Sequence, residues 1–153
     1  MPAPAADVAP TRLTSLPSWL LTQTAAHAGR LVTDGLAAAD ARGYHYRVLA
    51  TLAEHGPASQ ATLGRRSGIH LSDLVATLNE LAERDLVRRS PDPGDRRRNV
   101  ITITGTGRER LDRLAELLDG VQEQLLAPLN NRERAQLTEL LTRLLAHHTA
   151  VSR

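Results

Sequence analysis

Apolar residues recur at three- and four-residue spacings along most of the chain. Leu21, Ala25, Ala28, Val32 and Leu36 share one face of a helix that starts near Leu16. Ser15 is its expected N-cap, Pro17 is tolerated in the first turn, and Gly35 with residues 40–43 marks its decay. Tyr44, Val48, Leu49 and Leu52 stripe a second helix that runs to about Glu54 and stops at His55, Gly56 and Pro57. Ser59 caps a third, from Gln60 to about Ser67, with Ala61 and Leu63 inward; Gly68 breaks it. The fourth, from Leu71 to about Arg84, is the most regular. Leu71, Leu74, Val75, Leu78, Leu81 and Ala82 form its expected inner face, opposite Ser72, Asp73, Ala76, Asn79, Glu80 and Glu83.

The period then shortens. Residues 86–89 and 100–103 are β-type runs, and the Pro-, Gly- and Arg-rich segment 91–98 between them predicts a hairpin with a long charged tip. Thr104 caps a long helix in which Leu111, Leu114, Leu118, Val121 and Leu125 repeat three-four-three-four, a coiled-coil-like seam. Pro128 ends it. Asn130 and Glu133 stand in capping-box positions before a last helix carrying Leu137, Leu140, Leu141, Leu144 and Leu145. The expected fold is mainly helical: a winged helix-turn-helix domain over 44–104, flanked by helices at 15–43 and 105–153. The Ala/Pro-rich residues 1–14 are expected to be a disordered arm.

Composition narrows the chemistry. The 153 residues fit one domain of ordinary size plus an association element. There is no Cys, so thiolate metal sites and thiol-based redox sensing are excluded. No apolar run reaches the ~18 residues of a spanning helix. The first ten residues lack the basic and apolar segments of a signal peptide. A cytoplasmic protein with no membrane partner is the expectation. All 19 basic side chains are Arg, yet the net charge is only +2. The basicity is local: residues 84–98 hold Arg84, Arg88, Arg89, Arg96, Arg97 and Arg98 against Asp85, Asp92 and Asp95.

Short helices followed by a hairpin with an Arg-rich tip suit duplex DNA. The fourth helix is long enough to lie in a major groove, and the hairpin can follow the backbone or enter the minor groove. Arg matches phosphate oxygens with a planar fork and stays charged. The run from Asp95 through Arg96, Arg97 and Arg98 to Thr104, Gly105, Thr106 and Gly107 resembles the wing signature of the MarR (multiple antibiotic resistance regulator) family. Arg47, Val48, Leu49, Leu52, Gly56, Pro57, Leu63, Gly68, Ile69 and 86–89 match in order and spacing, so the resemblance covers roughly 16–148.

That resemblance implies a homodimeric transcriptional regulator, a repressor, on a near-palindromic operator with half-sites ~10 base pairs apart. By position, Arg97 enters the minor groove and Asp95 orients it, with Arg96 and Arg98 beside them. Ser59 and Gln60 hold phosphate, while Ser72, Asp73 and Thr77 face or border the bases. One departure stands out. Many relatives carry a cation near the positions of Leu71 and Ala76, whereas this helix is net acidic. Phosphate attraction then falls to Arg65, Arg66, Arg88, Arg89 and the wing. Base reading falls to hydroxyls, apolar contact with thymine methyls, or Asp73 accepting from a cytosine amino group.

The resemblance also implies that the terminal helices interlock two subunits. Leu111, Leu114, Leu118, Val121, Leu125, Leu137, Leu141 and Leu144 are the expected dimerisation positions, the alternative for the 111–125 seam being intramolecular core. A small aromatic or anionic effector would bind between these helices and the winged domain. Trp19, His27, Arg30, Tyr44, His45 and Tyr46 are placed there, against the alternative that they are packing residues. The six His have no metal-ligand spacing with carboxylates, and no nucleophile–base pair or phosphate-cradling Gly loop occurs, so no cofactor, metal or catalysis is expected. The alternatives to a regulator are a winged-helix protein-interaction module or a small-molecule-binding dimer without DNA binding.

Overall fold

The computed structural model describes residues 9–152, so residues 1–8 of the expected arm lie outside the described residues. Thr11–Thr14, inside that arm, form one helical turn, α1. Its presence changes the start of the next helix. Ser15 closes α1, with its hydroxyl directed back to the Arg12 carbonyl, and Leu16 takes the N-cap position of α2, Pro17–Ala37. Pro17 at the first helical position needs no N–H partner. The helix runs through Gly35, which is a contact point: a Cβ there would collide with the Val121 side chain. The chain turns at Asp40, in the left-handed region at φ 52°, where the Ala41 N–H reaches the Leu36 carbonyl.

Helix α3, Gly43–His55, ends on Gly56 at φ 79°. A two-residue strand, β1 (Ala58–Ser59), leads into α4, Gln60–Ser67, and Gly68 at φ 67° ends that helix. Helix α5 spans Leu71–Glu83. Strands β2, Val87–Pro91, and β3, Asn99–Ile103, pair antiparallel, with Val87 opposite Ile103 and Pro91 opposite Asn99. Strand β1 adds to the other edge of β3, giving the order β1-β3-β2. The hairpin is therefore tied to the start of α4 by main-chain bonds, which the sequence pattern does not reveal because β1 is too short to show alternation.

Thr104 caps α6, Gly105–Leu125, by accepting the Gly107 N–H at 2.9 Å. Gly107 lies against the Leu86 carbonyl so closely that any Cβ would overlap main chain. Asn130 and Glu133 form the expected capping box of α7, Asn131–Val151. The core draws on every element of the winged domain and both long helices beside it: Leu36, Leu49, Leu52, Leu63, Leu74, Leu78, Leu81, Ile101 and Leu114 are fully buried. The architecture is mainly helical, with seven helices and one small three-stranded antiparallel sheet among the described residues. None of these helices is long and apolar enough to cross a membrane.

The α6 seam belongs to the core of a single chain: Leu114 and Val121 are buried against α2, and Leu111 and Leu118 pack on the same core. A three-four repeat marks one apolar face but not its partner, and here the partner is α2. By contrast, α7 buries none of its residues in this chain. It is fastened at its start, where Arg134 bonds Glu123 and the Leu129 carbonyl. Beyond that, Leu140, Leu141, Leu144 and Leu145 stand exposed, as do Leu16, Leu20 and Leu21 at the other terminus.

Candidate nucleic-acid interface

The hairpin tip is built by its own polar groups. The Asp92 carboxylate accepts the Gly94 N–H at 2.8 Å, and the Asp95 carboxylate accepts the Arg97 N–H at 3.0 Å. Asp and Asn favour such turns because the side chain can replace a main-chain acceptor two residues on. Asp95 thus fixes the backbone of Arg97 rather than its guanidinium, and only Arg98 approaches the Asp95 carboxylate, at 3.9 Å. The guanidiniums of Arg96 and Arg97 have no hydrogen-bond or ion-pair partner among the described residues.

Because β1 pairs with β3, the tip is held over the start of α4. Ser59, Gln60, Thr62, Arg65, Arg97 and Arg98 line one cleft between them. Backbone N–H groups at a helix start together with three guanidiniums make that cleft suited to phosphate oxygens. The Ser59 hydroxyl is committed as the helix cap: it accepts the Thr62 N–H at 3.2 Å and donates to Thr62 Oγ1 at 3.1 Å. Arg65 donates to Thr62 Oγ1 at 3.0 Å and is thereby turned toward the same cleft.

Four other sequence-derived positions fall differently. Thr77 is buried, and its hydroxyl donates back to the Asp73 carbonyl at 2.7 Å, so it cannot meet a base. Arg66 points away from Arg65 into a separate cleft. Leu71 and Val75, assigned inward from the pattern, are exposed. Ser72 and Asp73 are exposed as expected, and Asp73 closes no capping box, since His70 at the N-cap makes no side-chain bond. The outer strip of α5 is therefore Leu71, Ser72, Val75, Ala76 and Asn79, with Asp73 on its flank. Asn79 is also tied to the wing, its Oδ1 accepting from Arg89 of β2 at 2.7 Å. Nothing local in the sequence signals that bond; it depends on where the hairpin folds back.

The MarR family model matches residues 34–98, from the end of α2 to the wing tip. The uncharacterized HTH-type transcriptional regulator YxaD of Bacillus subtilis is 30% identical over 99 residues, covering 65% of this chain and 69% of that one. This chain belongs to the MarR family. The HTH-type transcriptional repressor NicR of Pseudomonas putida, also similar, is 33% identical over 97 residues, which are 63% of this chain. The match spans 61% of NicR's own length. Among solved structures, the transcriptional regulator PcaV of Streptomyces coelicolor, determined with its natural ligand, superposes with a TM-score of 0.72. It is 25% identical, with 91% of this chain and 98% of that one covered. The MarR family is one of transcriptional regulators, not enzymes.

In this MarR-family chain a second cleft of about 570 Å³ opens between α2, α3 and α6, lined by Tyr44, Tyr46, Arg47, Thr51, His55 and Arg66, among others. That volume lies within the usual range for small-molecule sites, about 300–1,000 Å³. The Arg47 guanidinium lies 5.5 Å from the centre of the Tyr44 ring. Of the residues expected to contact an effector, Tyr44 and Tyr46 line this cleft, and Arg47 and Arg66 join them unforeseen. Trp19, His27 and Arg30 do not line it. They sit further up α2, where Arg30 and His27 bond each other at 2.9 Å.

His45 turns the opposite way. It is buried, its Nδ1 accepts the Arg42 N–H at 3.3 Å, and its Nε2 meets Glu80 of α5 at 2.6 Å. Arg42 ion-pairs with the same carboxylate. With Nδ1 accepting, the proton belongs on Nε2 and the ring is neutral. Burial, with the charges of Arg84, Arg42 and Arg110 around it, lowers its pKa from 6.5 to about 4, against a smaller opposing effect of Asp40. The unfolded chain takes up this proton near pH 6.5 and the folded one only near 4. Stability from the neutral ring is thus complete above 6.5 and is lost as pH falls toward 4. The expected size is on the order of 3 kcal/mol. Urea midpoints measured across this window should fall in the native chain and fall less in His45→Gln. Equal slopes in the two would contradict the neutral assignment.

Proposed function

We infer that this chain is a DNA-binding transcriptional repressor that acts as a homodimer on a near-palindromic operator. The observation that carries the reading is the convergence of unpaired Arg96 and Arg97, the cleft shared by Arg65, Arg97 and Arg98, and the outer strip of α5 on the wing-bearing side of the molecule. Phosphate contacts from the wing and the start of α4 would set the register, and α5 would lie in the major groove. The name of NicR supports repression rather than activation. The bare leucine face of α7, together with Leu16, Leu20 and Leu21, supports association of two copies through the terminal helices.

The cleft at Tyr44, Arg47 and Arg66 is the place for an effector. Two guanidiniums beside two phenols suit a small aromatic anion, and PcaV was determined with a natural ligand. Such a ligand relieves binding only if it prefers the subunit spacing that does not fit DNA. Titrating the full chain into the duplex DNA flanking its own gene, read by electrophoretic shift against random competitor, tests the reading. A shift that survives competitor is expected. A protein-interaction module or a ligand-binding dimer without DNA binding would give none.

A further inference from the structure

We propose that Leu71 and Val75 of α5 read thymine 5-methyl groups, so that each half-site presents A·T pairs beneath the first two turns of the recognition helix. This rests on the DNA-binding reading above.

The inference follows from what the outer strip can offer. Guanine is read in the major groove by the paired donors of Arg or Lys, and no residue of Leu71–Glu83 is either. Adenine is read by the adjacent oxygen and amide of Asn or Gln. The single such side chain in α5, Asn79, has its oxygen already engaged by Arg89 at 2.7 Å, which ties the amide to the wing. Thr77 is buried with its hydroxyl spent on the Asp73 carbonyl. Asp73 can accept from a cytosine amino group, but it sits at the edge of the strip, four positions before buried Thr77. Ser72 discriminates weakly because a hydroxyl both donates and accepts.

What remains at the centre is apolar. Leu71 is 62% exposed and Val75 38%, and they stand four residues apart, one above the other on the same face. Ala76 adjoins them. Leu74, Leu78 and Leu81 are buried on the inner face, whereas Leu71 and Val75 stay open to solvent on the outer one. Exposed aliphatic groups at the start of a groove-facing helix gain by covering a methyl, and thymine supplies the one methyl that DNA displays in the major groove.

The test uses the full-length protein and a random duplex pool. After selection, each thymine of the recovered half-site is replaced by deoxyuridine, which lacks only the methyl. One or two positions per half-site should each lose about fourfold in affinity, the worth of one buried methyl. In Leu71→Ala or Val75→Ala the corresponding loss should shrink below about twofold, with the helical circular dichroism unchanged because both positions are exposed. Deoxyuridine that is neutral at every position of a tightly bound duplex overturns this assignment and leaves DNA binding standing. Failure to enrich any duplex overturns both.

Discussion

A chain carrying Leu141→Glu and Leu144→Glu is expected to run as a folded monomer and to lose at least about a hundredfold in operator affinity. The two positions are 39% and 47% exposed in the single chain, so neither carboxylate is forced into a core. α7 contributes nothing to the buried core, and its capping box and Arg134 contacts lie turns away from the substitutions. The change therefore acts on what covers this face rather than on the fold. Two copies of each carboxylate brought into one apolar contact would remain desolvated and mutually repelling, which is costly. Once separated, each monomer holds one half-site and forfeits the linked second contact, worth about 10²–10⁴ in affinity. Sedimentation should give twice 16.6 kDa for the native chain and 16.6 kDa for the variant. A dimeric variant would move the association surface elsewhere.

The second large effect is expected at the wing. Arg97→Ala should weaken operator binding by at least about a hundredfold while leaving the dimer and thermal midpoint unchanged. Its guanidinium has no partner within the described residues, so its removal orphans nothing in the folded chain. Its backbone, by contrast, is fixed by Asp95, which holds the side chain over the cleft at Ser59, Gln60 and Arg65. A charge-assisted contact contributes about 1.5–3 kcal/mol, and a dimer makes it twice. The logarithmic salt slope should drop by about two. Arg66→Ala is the matched control. It removes the same charge from the neighbouring helix, but from a side chain that points into the Tyr44 cleft, and it should alter operator affinity by less than about threefold. If the two variants behave alike, the distinction between the wing cleft and the Tyr44 cleft has no bearing on DNA binding.

Much of this was legible in the sequence, for identifiable reasons. The limits of α4 are marked by a Ser cap and a left-handed Gly, and the capping box at Asn130 and Glu133 is a purely local device. Such signals survive any tertiary context. What failed were statements about which side of a helix faces what. In α5 the apolar arc is wide, and its midpoint cannot be fixed from spacing. Spacing therefore puts Leu71 and Val75 inward, and the family resemblance puts Thr77 at the bases, the reverse of their positions. In α6 the repeat announced a partner helix without saying whether it came from the same chain. The contacts of Asn79 with Arg89, and of His45 with Glu80, span 10 and 35 residues and depend on how elements pack. The same is true of β1, which has meaning only beside β3.

Two copies of this basic wing are expected to neutralise DNA phosphates together, and the salt dependence of binding by the native chain on its recovered operator measures this. With Arg65, Arg96, Arg97 and Arg98 supplied by each of two subunits, the slope of log affinity against log salt should be about −7. Between 50 and 200 mM salt, affinity should then fall by about four orders of magnitude. A slope near zero on a tightly bound duplex would contradict the account.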